Sequence, residues 1–181
     1  MAAKYLMTLA RTCAATLALT TLGACTNLSQ QNQKFDIGTS VPESFLSAWN
    51  IDIAPDGTGL PAGGANARLG EKVYQEKCLS CHGANGAGGS ANRLAGGGML
   101  NTDKAVKTVG SFWPHATTIF DYVRRAMPHS SPQSLSDEEV YASTAYILYL
   151  NKIVGMDDVI DRTTLPAIKM PNRDGFIQVI R

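Results

Sequence analysis

The hydrophobic positions along this chain fall into four regimes. From Cys13 to Ala24 they form one short, nearly unbroken run, preceded by the basic residues Lys4 and Arg11. From residue 26 to 65 they thin out among Gly, Pro, Asn and Ser. In "ARLGEKVYQEKC", from Ala67, Leu69 and Val73 stand four apart with charged residues between them, the period of an amphipathic helix. In "HATTIFDYVRRAM", Ile119, Tyr122, Val123 and Ala126 make a second helical stripe, which Pro114 can open and Pro128 must stop. The clearest start signal lies in "LSDEEVYASTAYILYLNK". Ser136 can cap the helix, Glu139 can complete a capping box, and Leu135 can staple onto Val140. Apolar residues occur on more than one side of that helix, which predicts deep burial. "GANGAGGSANRLAGGG" (83–98) is too rich in glycine for helix or strand and reads as loop. "ESFLSAW" suits one short helical turn, and "APDGTGLPAGG" (54–64) a linker or extended arm. After Gly155 the pattern predicts an extended surface tail with a short strand near its end. The expected fold is therefore all-α: a small helical domain over 66–154, between an N-terminal arm (25–65) and a C-terminal tail (155–181).

Composition sharpens this picture. The 181 residues suffice for one modest core, and seventeen glycines with eight prolines imply long loops around it. The first 24 residues read as a signal peptide, their apolar run being too short to span a bilayer. Their removal takes Lys4 and Arg11 from sixteen basic residues and leaves fourteen against fifteen acidic ones. No basic run or basic-aromatic interleaving suggests nucleic acid. The run ends in "LGAC" (22–25), which resembles the lipobox of bacterial lipoproteins. That resemblance implies a lipid on Cys25 and a periplasmic protein anchored to a membrane. Without lipidation, the same leader implies a secreted periplasmic one. The polar stretch "TNLSQQNQ" behind Cys25 suits a flexible tether.

Of four cysteines, Cys13 leaves with the leader and Cys25 takes the lipid, so Cys78 and Cys81 remain in "CLSCH" (78–82). Cys-x-x-Cys-His is the attachment signal of a c-type haem. Two thiols add across the two vinyl groups of one haem, and the adjacent imidazole of His82 reaches the iron. A zinc site would need a second ligand pair, and a redox dithiol would be expected in a βαβ pattern; neither is present. One covalent haem c is the expected cofactor. For the other axial position Met99, His115, Met127 and His129 are candidates. Met127 leads, at a helix end held by a proline, and His129 follows. Methionine-histidine ligation fills both axial sites and suits electron transfer rather than chemistry at iron. Trp113 is a candidate donor to a haem propionate, or a core aromatic. Arg124 and Arg125 are candidates for a propionate or a partner, or for a solvated helix face.

The residues around the motif resemble class I cytochrome c. In that family a glycine stands eight residues before the first cysteine and an aromatic four before it, here Gly70 and Tyr74. An Ala-Tyr pair in the last helix, here Ala145 and Tyr146, packs over that glycine. The family often follows the motif with a proline whose carbonyl accepts the histidine N–H. No proline lies between His82 and Pro114, so another backbone carbonyl of the glycine-rich loop must take that role.

Past residue 108 the resemblance narrows. "TVGSFWPHATTIFDYVRRAMP", "SLSDEEVYASTAYILYLN" and "LPAIKMPNRDGF" are similar to the cytochrome subunits of bacterial sulfite dehydrogenase and Sox-type sulfur dehydrogenase, over about 68–176. This implies a non-catalytic electron-transfer subunit. It would take electrons from a molybdenum-cofactor dehydrogenase subunit and pass them to a soluble cytochrome c. Sox-type subunits often carry two haems, whereas this chain has a single motif. Two other functions stay open: a free lipid-anchored periplasmic shuttle, and the haem subunit of a thiosulfate-processing enzyme. The latter places iron beside a reactive cysteine, and the mature chain has none outside "CLSCH" and position 25.

Overall fold

A computed structural model of the chain describes residues 37–98 and 100–177. The leader, Cys25 and Met99 lie outside the described residues. The main compact unit runs from Ser44. In chain order the elements are α1 (Glu43–Trp49), β1 (Gly64–Ala65), α2 (Ala67–Lys77), α3 (Leu79–His82), α4 (Val109–Phe112), α5 (Ala116–Ala126), α6 (Asp137–Leu150) and β2 (Ile160–Asp161). Single 3-10 turns occupy Ala84–Gly86 and Leu165–Ala167. The structure is mostly helical with one small sheet, in keeping with a class I cytochrome c fold.

Helix α6 is the centre of the core. Every residue from Val140 to Leu148 is buried, so no solvent-facing stripe survives, as its apolar residues on several sides predict. Its start is fixed by the expected capping box: the Ser136 hydroxyl accepts the Glu139 amide, and the Glu139 carboxylate accepts the Ser136 amide. Helix α2 crosses α6 at Gly70. A Cβ there would stand 1.9 Å from the Ala142 carbonyl oxygen and 2.7 Å from Cβ of Tyr146. Only glycine permits this approach. Tyr74 and Tyr146 then meet with ring centroids 5.2 Å apart, tilted by 53°. The buried face of α2 is Ala67, Gly70, Val73 and Tyr74, with Leu69 only partly covered at its edge.

Helix α5 begins at Ala116, with His115 as N-cap, so Pro114 stands two residues before the first helical position instead of occupying it. Ile119, Phe120 and Val123 are its buried apolar residues in mid-helix. Tyr122, expected on the same stripe, is 47% exposed and stands edge-on to Trp113 at 5.7 Å.

The folded unit extends past both ends of the expected 66–154 domain. Ile53, Leu60 and Ala65 are buried on one side, and Ile160, Leu165 and Met170 on the other. Polar contacts pin these segments. The Ile53 amide donates to the Asp121 carboxylate, Thr117 to the Pro55 carbonyl, and Tyr141 to the Pro61 carbonyl. The two segments also pair with each other, Gly64 with Asp161 and Ala65 with Ile160, antiparallel. The arm is thus a strap over α5 and α6, and among the described residues of the tail the strand is Ile160–Asp161; the last residues, where the short strand was expected, lie outside the described residues. Single apolar residues spaced among turns carry no periodic signal, although each one fills a core position.

Candidate functional site

A cavity of about 620 Å³ lies between the Cys78–His82 turn, the loop after it, α5 and α6. That volume falls in the usual cofactor range of roughly 300–1,000 Å³. Cys78, Cys81 and His82 line one side and Met127 and His129 another; Val109, Ile119, Val123, Leu135 and Ile147 supply apolar wall. Helix α2 delivers the cysteines: its last turn ends at Lys77, Cys78 caps it, and α3 continues to His82.

The imidazole is held by one hydrogen bond. Nδ1 of His82 lies 2.8 Å from the Asn92 carbonyl oxygen. A carbonyl only accepts, so Nδ1 carries the proton and the Nε2 lone pair is left free. This is the loop carbonyl required by the missing proline. The loop itself is stapled to the motif. Gly88 N–H donates to His82 O, Ala91 N–H to Cys81 O, and Leu94 and Ala95 N–H to Gly86 O. Gly83 turns the chain at φ 72° and ψ 172°, a conformation open essentially only to glycine. The Tyr74 hydroxyl donates to its carbonyl at 2.8 Å, and burial pushes that phenol up to about 12.

Of the candidates for the second axial position, Met127 and His129 line the cavity and His115 does not. His115 is occupied elsewhere: its Nδ1 faces the Arg173 guanidinium, and its backbone bridges to Lys169 of the tail. Burial first, and the Arg173 charge second, lower its pKa. Met127 is the C-cap of α5, its amide donating to the Val123 carbonyl. Trp113 lines the cavity as well. The arginine pair does not. Arg125 binds Asp121 one turn back, and Arg124 reaches Asp137 at 3.5 Å and the Ile51 carbonyl at 3.3 Å. Arg124 fastens α5 to its surroundings, whereas the Arg125 pair lies within the helix.

The lining contains Lys77, Arg93 and Lys107 and no carboxylate, so the site favours a negatively charged group at its edge. Burial raises the Cys78 thiol to about 11, which leaves it neutral and unsuited to catalysis as a free thiolate. The Ser143 hydroxyl also lines the cavity, and among the described residues it is the one buried side-chain polar atom without a partner. No group of three or more Cys, His, Asp or Glu side chains forms a metal cluster among the described residues. Two thiols and an oriented imidazole on one wall, a thioether and a second imidazole on another, and apolar residues between them fit a haem c.

Sequence reasoning missed the loop supports. Asn151 donates to the Leu94 carbonyl and accepts from the Gly96 amide, tying the glycine-rich loop to the end of α6. Thr108 caps α4 in a capping box with Ser111 and donates to the Gly96 carbonyl. The Thr108-x-x-Ser111 spacing was a readable signal for that cap; nothing local marks Asn151.

Comparison with known proteins follows the same geometry. The profile of cytochrome c oxidase, cbb3-type, subunit III matches residues 65–147, the span from β1 through most of α6. The solved sulfane dehydrogenase SoxCD from Paracoccus pantotrophus matches with a TM-score of 0.75 and 39% identity, over 80% of this chain and 72% of that one. Thiosulfate dehydrogenases are more distant relatives. That of Allochromatium vinosum is 27% identical over 67% of this chain and 41% of its own length. That of Stutzerimonas stutzeri is 29% identical over 56% of this chain and 36% of its own. The chain thus spans about two fifths of the curated relatives it matches.

Proposed function

The chain belongs to the class I cytochrome c family, and from that premise we propose that it is the electron-transfer subunit of a periplasmic sulfur-compound dehydrogenase. The observation that carries this reading is the convergence of Cys78, Cys81, His82 and Met127 on one cavity in a fold shared with a sulfane dehydrogenase at 39% identity. The thiols of Cys78 and Cys81 would hold one haem c covalently, and His82 Nε2 and the Met127 thioether would ligate its iron. The haem supplies a one-electron carrier. The remaining work belongs to the chain. Asn92 keeps Nδ1 of His82 protonated so that Nε2 points its lone pair at the iron. The apolar wall excludes water, and the cations at the rim offset the charge of the propionates. With His82 and Met127 as its protein ligands, the haem would carry electrons rather than bind a sulfur substrate.

The partner on the donor side is a molybdenum-cofactor dehydrogenase subunit that oxidises the sulfur compound, and the acceptor is a soluble cytochrome c. Lipid on Cys25 holds the assembly at a membrane on the periplasmic side. Among the described residues no helix is long and apolar enough to cross a membrane. The thiosulfate dehydrogenases among the relatives favour a second reading, a haem subunit of a thiosulfate-processing enzyme. That reading places a cysteine beside the iron; here the cavity is lined by Met127, and the mature sequence has no cysteine outside "CLSCH" except Cys25.

The test mixes the purified holo chain with a purified molybdenum-cofactor sulfur dehydrogenase subunit from the same organism and follows haem absorbance. Sulfite or a sulfane-sulfur donor is expected to reduce the haem only when both chains are present. Turnover of either sulfur compound by this chain alone would refute the assignment, and turnover of thiosulfate alone would move it to the second reading.

A further inference from the structure

Helix α1 leaves its apolar side uncovered. Phe45 is 57% exposed, Leu46 44% and Trp49 71%, and no residue of the helix is buried. Phe45 and Trp49 sit one turn apart with ring centroids 6.2 Å apart, so the two rings and Leu46 form one patch. This is not the end of a loose tail. Directly after Trp49 the chain is fastened to α5: Arg124 holds the Ile51 carbonyl, and Asp121 accepts the Ile53 amide. The patch therefore has a fixed root on the haem domain. Apart from their contact with each other, the two rings stay largely exposed within the chain.

Two observations choose the occupant. First, interfacial helices that lie on lipid carry Lys and Arg on their polar face. The segment from Ile37 to Ala67 has neither, and the polar residues of α1 are Glu43, Ser44 and Ser47. Second, the match to the sulfane dehydrogenase covers 80% of the 181 residues. That is more than residues 50–181 contain, so the match reaches back through α1. The segment that holds α1 thus falls within the span matched to a dehydrogenase assembly.

We propose that the Phe45–Leu46–Trp49 face of α1 docks into an apolar cleft on the catalytic dehydrogenase subunit and acts as its anchor on this chain. The proposal rests on the functional reading above. Aromatic anchors of this kind carry most of an interface's affinity, with tryptophan foremost.

The experiment uses the full holo chain with Cys25→Ser in every sample, so that lipid does not contribute. Dissociation constants for the purified catalytic subunit are measured for this chain and for Phe45→Ser/Trp49→Ser. Sedimentation with phosphatidylcholine vesicles is measured in parallel. All three side chains being exposed, the variant is expected to keep its haem spectrum and melting temperature, which confirms that it is folded. Affinity for the catalytic subunit is expected to fall by about ten-fold or more, with vesicle binding weak and equal for both proteins. Trp49 emission in the parent should shift to the blue on mixing, a change absent in Trp49→Phe. Equal affinity of parent and variant would overturn the docking proposal while leaving the function intact. Loss of vesicle binding alone would reassign the face to lipid. A parent that binds no catalytic subunit at all would overturn the functional reading and this proposal together.

Discussion

Nδ1 of His82 donates to the Asn92 carbonyl oxygen at 2.8 Å, ten residues along a loop that contains no proline. The bond replaces a family device with another carbonyl, and its geometry depends on the turn between the two residues. Gly83 makes that turn. Its φ of 72° is strained for any side chain, and a Cβ would stand 2.2 Å from the Gly88 carbonyl oxygen. Gly83→Ala is expected to cost about 1–3 kcal/mol in backbone strain alone and more through the clash. Covalent haem yield in exported protein, read by pyridine haemochrome after denaturation, should drop sharply. A normal yield with an unshifted melting temperature would show that Asn92 does not need this turn.

Gly70 is the second glycine whose lack of a side chain is decisive. The Ala142 carbonyl lies where its Cβ would be, and backbone cannot swing aside as a long side chain does. Gly70→Ala is expected to push α2 away from α6, part Tyr74 from Tyr146, and destabilise by about 3 kcal/mol or more. Thermal denaturation of the holo protein should show a loss of several degrees, since 1 kcal/mol corresponds to roughly 4 °C in a domain of this size. An unchanged melting temperature would mean that the two helices do not meet at this point.

Gly70, Tyr74, Ala145 and Tyr146 were legible through the resemblance to class I cytochrome c, which places a glycine and an aromatic before the first cysteine and an Ala-Tyr pair in the last helix. The capping box of Ser136 and Glu139 was legible because it is local. The strap through Ile53 and Leu60 was not, because its core residues come one at a time between turns, and only the Asp121 carboxylate, 68 residues from Ile53 in sequence, makes the segment structural. The same holds for Asn151, whose side chain serves a loop more than fifty residues away. Arg124 and Arg125 read as free charges because their partner Asp137 lies across a turn and Asp121 is largely buried. At the site, the sequence named the groups on the cavity wall, whereas the identity of the carbonyl behind His82 depended on how a glycine-rich loop folds.

Glu139 gives the fold a pH dependence whose sign is fixed. The ammonium of Lys77, 2.7 Å away, followed by the Ser136 amide, holds its carboxyl below the ordinary glutamate value of 4.5. A carboxylate whose folded pKa is depressed stabilises the fold above its unfolded value, and that contribution is lost as pH falls through the folded value. Both partners being partly exposed, the effect is modest. Melting temperature should fall more steeply below pH 4.5 for the parent than for Glu139→Gln, which should be slightly less stable at pH 7 and converge with the parent in acid. Parallel curves would place the acid sensitivity elsewhere.

Met127 and His129 line the same cavity wall, and their donors predict different behaviour. A thioether has no proton to lose, so a methionine ligand stays bound over the ordinary pH range and raises the reduction potential relative to a second imidazole. An imidazole at that position would leave as it protonates on the acid side. The helix favours Met127: it is the C-cap of α5, its amide tied to Val123, and Val123 itself lines the cavity. His129 stands two residues further on, past Pro128 and outside any helix. The ferric protein should therefore show the weak sulfur-to-iron band at the red end of its spectrum, constant from pH 5 to 8. Met127→Ala should abolish the band and lower the potential, and His129→Ala should leave both unchanged. In the complex with the catalytic subunit, Met127→Ala should slow electron delivery to a soluble acceptor and spare turnover with an artificial dye. A band that survives in Met127→Ala and disappears in His129→Ala would reverse the assignment, making His129 the ligand and Met127 part of the apolar wall.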